Sequence, residues 1–272
     1  MAFRFVDRIS ELEPGRRAVG HFRVPPGPPL APFLAAEAVG QLASWVAIAA
    51  RDFTRRPVAA LAGRAAFRRV AAAGAEVELE VLVDSVNDSA VAYAGKATCN
   101  GDPILTLERC LGPMLPIGDF DDPDETRARF ERLCGEGENA GGLEGESGIR
   151  LEQVGAADAK TRWRIELPRE ATFLADHFPR KPVIPGTLFL EAQLGAALEQ
   201  ASVTLQTPRH DLRVMKVHDV KLRRFLDPGD VVELAVAVRS HEKDAVGLRL
   251  TTARGATKIS TAGVEIRVRS RT

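Results

Sequence analysis

The most informative part of the sequence is residues 176–193, DHFPRKPVIPGTLFLEAQ. A pair of prolines and Gly186 stand directly before an apolar run, an arrangement that is typical of a chain entering a helix. At the start of that helix Gly186 would leave a backbone N–H free, and a helix N-terminus stabilises developing negative charge. The stretch therefore predicts an apolar helix whose N-terminus can hold an oxyanion.

A histidine precedes this turn and a glutamate follows it. His177 has a side chain whose ordinary pKa suits it to remove a proton near neutral pH. A thioester carbonyl held at the helix N-terminus would be polarised, which acidifies the carbon next to it, and a carboxylic acid can protonate a departing hydroxyl. These residue types predict β-elimination of water. An ordinary loop histidine is the alternative, but the spacing of 191 minus 177, or 14, to Glu191 favours the functional interpretation.

The same stretch resembles the signature of the hot dog-fold 3-hydroxyacyl-acyl carrier protein dehydratases of fatty-acid synthesis. That signature is His-Phe-Pro-Gly, then Pro-x-x-Pro-Gly, then a Glu that opens the central helix. The residues that match it are His177, Phe178, Pro179, Pro182, Pro185, Gly186 and Glu191. Arg180 replaces the usual Gly, which is expected to reshape the loop without removing a reacting group. The resemblance implies an α+β fold, with an antiparallel sheet wrapped around a long central helix, and no metal or cofactor.

The sequence also repeats itself at a nearly constant interval. The helical run around Glu37, FLAAEAVGQLASW, has a counterpart around Glu191, LFLEAQLGAALEQ, at a separation of 191 minus 37, or 154. Phe67–Val81, FRRVAAAGAEVELEV, matches Leu222–Val236, LRRFLDPGDVVELAV, at 222 minus 67, or 155. Two segments rarely agree in this way by chance, so the pattern predicts a tandem duplication. With the resemblance it implies two tandem hot dog folds that form an intramolecular pseudo-dimer.

The clearest change in composition lies at residues 119–148, which are rich in Gly, Glu and Asp. Only a short helical pattern at about residues 124–134 interrupts this segment. It predicts a linker between a first unit, residues 1–118, and a second unit, residues 149–272. In each unit one long apolar helix comes early and Val- and Leu-rich strands follow, which predicts an antiparallel sheet with the helix on one face.

The resemblance further implies which acid acts with His177. In such dehydratases the histidine and the helix N-terminus come from one hot dog, and the acid comes from the central helix of the other. In a tandem duplication this pairing joins His177 and Gly186 with Glu37 of the first, degenerate unit. Gln41 matches the family's helical Gln and is expected to orient Glu37. The alternative is a buried carboxyl that merely hydrogen-bonds to Gln41 one turn later.

The reciprocal site is predicted to be inactive. It would pair Glu191 with groups that precede Glu37, but the equivalent of Gly186 there is Pro32, which has no backbone N–H. His21 precedes Glu37 by 37 minus 21, or 16, rather than 14, although its His-Phe dipeptide keeps it as a rival candidate. Glu191 is therefore expected to be structural or to line the acyl pocket.

Further residues are expected to border the substrate. Gln41, Phe178 and Pro185 belong to the matched elements and lie next to the predicted reacting groups. Arg223 and Arg224 repeat an arginine pair of the first unit, and the ordinary interpretation is a solvated strand face. The functional alternative is that they dock the phosphate of a phosphopantetheine arm or an acidic carrier protein.

Composition narrows the class of protein. With 37 basic and 37 acidic residues and a pI near 7.0, bulk charge does not favour binding to nucleic acid or to an anionic membrane. Three cysteines without C-x-x-C spacing favour a reducing compartment. The first 20 residues are too charged for a signal peptide, and the longest apolar stretch, residues 33–50, is interrupted by polar residues. We expect a buried helix there, no membrane span and a cytoplasmic protein.

The function expected from the sequence is dehydration of a (3R)-hydroxyacyl thioester to the trans-2-enoyl product in fatty-acid or related lipid and polyketide synthesis. Its partner would be acyl carrier protein or coenzyme A. One alternative is a thioesterase on the same fold, in which a carboxylate activates water. Another is a degenerate acyl-binding or scaffold protein without catalysis. The sequence leaves open the acyl chain length, the carrier and the assembly of pseudo-dimers into a homo-oligomer.

Overall fold

One large antiparallel sheet with strands from both halves, a separate two-stranded sheet and two long helices make up the computed structural model, which describes residues 3–157 and 160–269. The elements of the first half are β1 (Phe3–Arg4), β2 (Arg8–Glu13), β3 (Arg17–Arg23), α1 (Pro32–Ala50), β4 (Arg55–Pro57), β5 (Leu61–Phe67), β6 (Glu76–Val86), β7 (Ala90–Cys99) and β8 (Asp102–Pro116). Between the halves lie α2 (Pro123–Cys134) and β9 (Gly142–Leu143). Those of the second half are β10 (Arg150–Ala157), β11 (Lys160–Glu166), α3 (Gly186–Leu205), β12 (Leu212–Leu222), β13 (Val231–Glu242), β14 (Ala245–Arg254) and β15 (Thr257–Val268). Short 3₁₀ turns occupy Ile117–Asp119, Thr172–Ala175 and Arg209–Asp211.

The two halves have the same strand order. In the first half the order is β2-β3-β6-β7-β8-β5, and in the second it is β10-β11-β13-β14-β15-β12. The last strands of these two series, β5 and β12, pair antiparallel with Ala65 opposite Val217, so one continuous sheet runs through both halves. This confirms the α+β fold built from two tandem hot dog units.

The two long helices begin at equivalent positions. α1 begins at Pro32 and α3 at Gly186, a separation of 186 minus 32, or 154, which equals the separation of Glu37 and Glu191. The sequence repeat is therefore also a structural repeat. Proline suits the first helical position because its missing N–H has no intrahelical acceptor there in any case.

α1 and α3 lie against each other and against the sheet. Fully buried side chains on both helices, among them Leu42 and Phe189, belong to one hydrophobic core that includes both units. Because each helix is covered on several sides, its sequence is apolar over most of its circumference rather than along one stripe. The shared core holds the two units in one relative orientation.

Among the described residues, α1 is the helix with the length and apolar composition of a membrane span, with a mean hydropathy of 1.5. However, 61% of that stretch is buried inside the protein. α1 is therefore the core helix that the sequence predicts, since a buried helix of a globular protein has the same composition.

Residues 119–148, predicted to be a linker, are folded onto the first unit. The helix expected at about residues 124–134 is present as α2, and Phe130 on it packs on Trp45 and Phe53 of the first unit, with ring centroids 6.0 and 5.4 Å apart. β9 pairs with β1, and Leu133 is fully buried. The unit boundaries at residues 118 and 149 stay a prediction, but the segment between them is not a free tether.

Candidate active site

A cavity of about 730 Å³ is lined by side chains of both units. Its size is within the range of roughly 300–1,000 Å³ that is typical of small-molecule sites. α1 contributes Glu37 and Gln41, the loop before α3 contributes His177, and the first turn of α3 contributes Gly186 and Thr187. The structure therefore brings the proposed base and the first unit's glutamate to one cavity.

His177 lies on the loop between the 3₁₀ turn at Thr172–Ala175 and α3. Its backbone N–H donates to the carbonyl of Phe173 at 2.9 Å, and its ring Nδ1 lies 3.0 Å from the carbonyl oxygen of Val183. Because a carbonyl can only accept, Nδ1 must carry the proton, which leaves the lone pair on Nε2. His177 is thus held in a tautomer that can act as a general base through Nε2.

Aromatic rings enclose the imidazole of His177. Phe178 stacks on it with ring centroids 4.2 Å apart, and Phe3 meets it edge-on at 5.6 Å. Burial lowers the pKa of His177 to about 3, with a smaller contribution from the Arg56 cation, so the imidazole is neutral at pH 7. Phe178 has a φ of +61°, a left-handed conformation that is unusual for an aromatic residue. The turn that presents His177 is therefore strained and depends on its surroundings.

Glu37 borders the cavity from α1, close to the N-terminus of α3. Its Oε2 accepts a hydrogen bond from the Thr187 hydroxyl at 2.7 Å, and its Oε1 accepts one from Gln41 Nε2 at 2.8 Å. Burial raises the pKa of Glu37 above its ordinary value, although both hydrogen bonds and the charge of Arg56 favour the ionised form. Glu37 is half-buried and lines the cavity, so its carboxyl can meet a ligand there.

The amide of Gln41 is fixed at both ends. Its Oε1 accepts the backbone N–H of Phe5 at 2.9 Å, while its Nε2 donates to Glu37 and to the carbonyl of Phe3 at 3.3 Å. Since the carbonyl end receives an N–H, the NH₂ end has to face Glu37. This is the geometry that the predicted orienting role of Gln41 requires.

Gly186 is the first residue of α3, and no side chain caps that end of the helix. The N–H groups of a first helical turn have no intrahelical acceptor, so the N–H of Gly186 is available to a ligand in the cavity. A β-carbon at this position would lie 2.5 Å from Leu222 Cδ1, so glycine lets the helix start close to β12. The predicted oxyanion donor is thus present on the cavity wall.

The reciprocal arrangement is different. Glu191 accepts the backbone N–H of Phe33 at 2.9 Å through Oε2, so it occupies the N-terminal turn of α1 itself. His21 lies on β3 with Nε2 3.0 Å from Ser10 Oγ and Nδ1 3.4 Å from a carboxylate oxygen of Glu76. Neither Glu191 nor His21 is among the described residues that line the cavity.

Comparison with known proteins gives the family. A family model described as ApeI-like, ApeI dehydratase, matches residues 153–262, which include His177 and Gly186. The 3-hydroxyacyl-[acyl-carrier-protein] dehydratase FabZ of Clostridium acetobutylicum is 35% identical over 116 residues, which is 38% of this chain and 82% of that relative. The chain belongs to the FabZ dehydratase family. The resemblance seen in the sequence is thereby confirmed.

Solved structures extend the similarity to most of the length of this FabZ-family chain. A protein described as an oleoyl thioesterase from Lactobacillus plantarum has a TM-score of 0.61 at 12% identity, covering 94% of this chain and 98% of that one. A MaoC-like dehydratase has a TM-score of 0.51 at 12% identity, covering 89% of this chain and 84% of that one. At such identities the likeness shows the hot dog-type fold alone.

Sequence reasoning missed Arg56. It lies on β4, lines the cavity, forms an ion pair with Asp121, and its guanidinium carbon is 4.2 Å from the ring centroid of Phe178. Burial lowers the pKa of Arg56 to about 9, although the negative charge of Glu37 acts in the other direction. No sequence motif identifies Arg56, because β4 meets the loop that carries His177 only through tertiary packing.

The remaining predicted substrate contacts are placed unevenly. Phe178 and Arg224 line the cavity, and Arg224 is exposed at its edge, whereas Pro185 and Arg223 are not among the described lining residues. Arg223 is exposed and donates to Thr261 Oγ1 at 3.3 Å. Of the arginine pair, only Arg224 is therefore in position to meet a ligand that enters this cavity. The described residues contain no group of three or more His, Cys, Asp or Glu that could hold a metal ion.

Proposed function

We propose that this FabZ-family protein removes water from (3R)-hydroxyacyl thioesters of acyl carrier protein or coenzyme A and forms trans-2-enoyl thioesters. The observation that carries the proposal is the pairing of His177 and Glu37 on one cavity. Burial lowers the pKa of His177 and raises the pKa of Glu37, so it favours the neutral, proton-accepting form of the base and the protonated form of the acid. Two titratable groups whose environments shift their pKa values in opposite directions are the pattern expected of an acid and a base in one site.

The chemistry follows from these two groups and the helix N-terminus. The thioester oxygen lies at the N–H of Gly186, which stabilises the negative charge that develops on it. Nε2 of His177 takes a proton from C2, the C2–C3 double bond forms, and the C3–O bond breaks. Glu37 gives its proton to the leaving oxygen, which departs as water. Return of the proton from His177 to Glu37 restores both groups, so no other reactant is needed.

A thioesterase is the second candidate, because the chain-long structural likeness includes a protein described as a thioesterase. That reaction needs an ionised carboxylate that activates water. The raised pKa of Glu37 and the presence of His177 with Gly186 favour the dehydratase. The exposed Arg224 at the cavity supports a substrate that carries a phosphate, as the phosphopantetheine arm of either carrier does. The cytoplasmic location stays a prediction.

The purified protein incubated with (3R)-3-hydroxyacyl thioesters of several chain lengths separates the candidates. We expect loss of water, detected by mass spectrometry and by the absorbance of the conjugated enoyl thioester, with no release of thiol. The (3S) isomer serves as the control and is expected to remain intact. Release of free thiol would establish the thioesterase instead, and binding without any reaction would establish an acyl-binding protein.

The pH dependence of kcat/KM also distinguishes the dehydratase from the thioesterase. In the dehydratase kcat/KM requires neutral His177 and protonated Glu37, so it should decline as pH rises through the raised pKa of Glu37. On the acid side it should decline only toward the His177 pKa of about 3, as far as the fold persists. A thioesterase that uses the Glu37 carboxylate would gain activity as pH rises through the same pKa. Initial rates from pH 4 to 10 in buffers of constant ionic strength make the measurement.

A further inference from the structure

Arg180, which stands where the family motif has glycine, connects the His177 loop to the start of the segment between the units. Its Nη2 donates to Asp122 Oδ2 at 2.6 Å, its Nη1 donates to the carbonyl of Gly118 at 3.2 Å, and its backbone N–H donates to the carbonyl of Phe120 at 2.9 Å. A glycine at this position would keep only the backbone bond. The planar guanidinium makes two further bonds because its donors diverge in a fixed fork.

Packed rings form a second connection at the same place. Phe120, which is 1% exposed, meets Phe178 edge-on with ring centroids 5.0 Å apart. Phe178 in turn stacks on His177 at 4.2 Å. Aromatic contacts at such distances stabilise one ring orientation over others. Phe120 and the imidazole of His177 thus pack on the same intervening ring.

An ion pair makes the third connection. Asp121 pairs with Arg56, and both side chains are 16% exposed. Arg56 and His177 both pack on the Phe178 ring, each 4.2 Å from its centroid. The strained residue Phe178 thus contacts both the imidazole and a cation that is paired with Asp121.

From these contacts we infer that residues 118–122 are a clamp on the His177 loop and that Arg180 is a positioning residue. Its role is to hold Phe178, and through it the ring of His177, in the orientation that directs Nε2 into the cavity. The positioning of a base rests on the proposed function, whereas the clamp itself does not. Arginine in place of the family's glycine therefore adds a contact between the His177 loop and residues 118–122. Those residues lie beside the loop because the two units are joined in one chain.

Two variants test the clamp. Arg180→Ala removes both side-chain bonds. Asp122→Asn weakens the ion pair but keeps an oxygen for the N–H groups of Asp124 and Glu125, which Oδ1 caps at 3.0 and 3.2 Å. Since part-exposed ion pairs contribute modestly, we expect amide exchange in residues 177–184 to rise about fivefold in each variant. The double variant should show no larger change than Arg180→Ala alone, because Arg180→Ala already removes the contact with Asp122.

A second readout concerns His177 directly. In Arg180→Ala we expect kcat for dehydration to fall about fivefold with KM nearly unchanged, because substrate contacts remain while the base is less well directed. The Nδ1–H resonance of His177, observed with ¹⁵N-labelled imidazole, should shift or broaden. A residue of purely structural importance would change stability without moving this resonance.

Arg127→Ala is the matched control. Arg127 joins the same segment to the first unit through Asp52 at 2.7 Å and is 45% exposed against 47% for Arg180, but it does not contact the His177 loop. It should leave exchange in residues 177–184, the imidazole resonance and kcat unchanged.

The outcomes that would contradict the clamp are distinct. Equal effects of Arg127→Ala and Arg180→Ala, or no effect of Arg180→Ala on exchange, would overturn the clamp. Faster exchange with an unchanged kcat and resonance would overturn the positioning role. If the wild-type protein shows no turnover, the proposed function fails. Amide exchange in residues 177–184 and the His177 resonance of the variants then still test the clamp.

Discussion

The variant His177→Asn is expected to lose dehydration activity by roughly 10²–10⁴ in kcat, the usual contribution of a general base. Asparagine keeps an N–H that can donate to the carbonyl of Val183, as Nδ1 does at 3.0 Å, but it lacks the second ring nitrogen. The variant therefore removes the base and retains the loop's hydrogen bond. Steady-state kinetics with a (3R)-3-hydroxyacyl thioester measure the loss.

His21→Ala is the control for this variant. His21 shares the His-Phe dipeptide, but it lies on β3 beside Ser10 and Glu76 and is not among the described residues lining the cavity. Its replacement should leave kcat within about twofold of the wild type, as is usual for a change outside the site. Retention of activity in His177→Asn together with loss in His21→Ala would show that the base belongs to the first unit.

Stability against pH gives an independent check on His177. The unfolded imidazole binds a proton near pH 6.5, whereas the folded one does so only near pH 3. Unfolding therefore takes up a proton between these values, and stability that is present above pH 6.5 is lost as the pH falls, by up to about 1.4 kcal/mol per pH unit. Denaturant unfolding of His177→Asn should lack this component of the pH dependence.

The sequence predicted the parts of the fold that depend on local patterns and on duplication. The spacing of 154 between Glu37 and Glu191 became the spacing between the starts of α1 and α3, and the repeated arginine-strand segments became part of equivalent strands. The site shared between the units was inferred from the resemblance, because in such dehydratases one hot dog supplies the histidine and the other supplies the acid. Residues 119–148 were expected to be a linker because Gly and acidic residues dominate them, whereas Phe130 and Leu133 on α2 provide the apolar contacts that fold them onto the first unit.

The roles of Arg56 and of the clamp residues could not be predicted from the sequence, for a different reason. Arg56, Asp121 and Phe120 have no unusual neighbours in the chain, and their importance arises only when β4 and residues 118–122 meet the loop of Phe178. Such contacts have long sequence separations, which no periodicity records. Arg180 was noticed as a departure from the motif, but its partner Asp122 lies 180 minus 122, or 58, residues earlier.

The second large effect is expected for Glu37→Gln, which should lower kcat by roughly 10²–10⁴ because the amide has no proton to give to the leaving hydroxyl. The change is nearly isosteric. The new amide oxygen can accept from Gln41, and the hydroxyl of Thr187 can turn to accept from the new NH₂ group. KM should change little, since the thioester is held by other groups. Kinetics with the same (3R) substrate provide the measurement.

Glu37→Gln is also expected to be at least as stable as the wild type at pH 7. Burial raises the pKa of Glu37 in the folded state, so its favourable contribution is complete below the unfolded pKa and is lost as the pH rises through the folded pKa. A neutral amide avoids that loss. Lower activity with equal or higher stability is the combination expected when a residue is kept for catalysis at a cost in stability. A variant that was inactive because it was misfolded would show the opposite change in its unfolding midpoint.

Glu191→Gln is the matched control, because Glu191 is the equivalent residue of the second unit. Its Oε2 accepts the N–H of Phe33 at 2.9 Å, and an amide oxygen can accept the same bond, so kcat should stay within about twofold. The two variants make the same carboxyl-to-amide change at equivalent positions of α1 and α3. A difference in kcat between them therefore reports which glutamate takes part in the reaction. If Glu191→Gln lost activity while Glu37→Gln kept it, the acid would belong to the second unit, and the site shared between the units would be wrong.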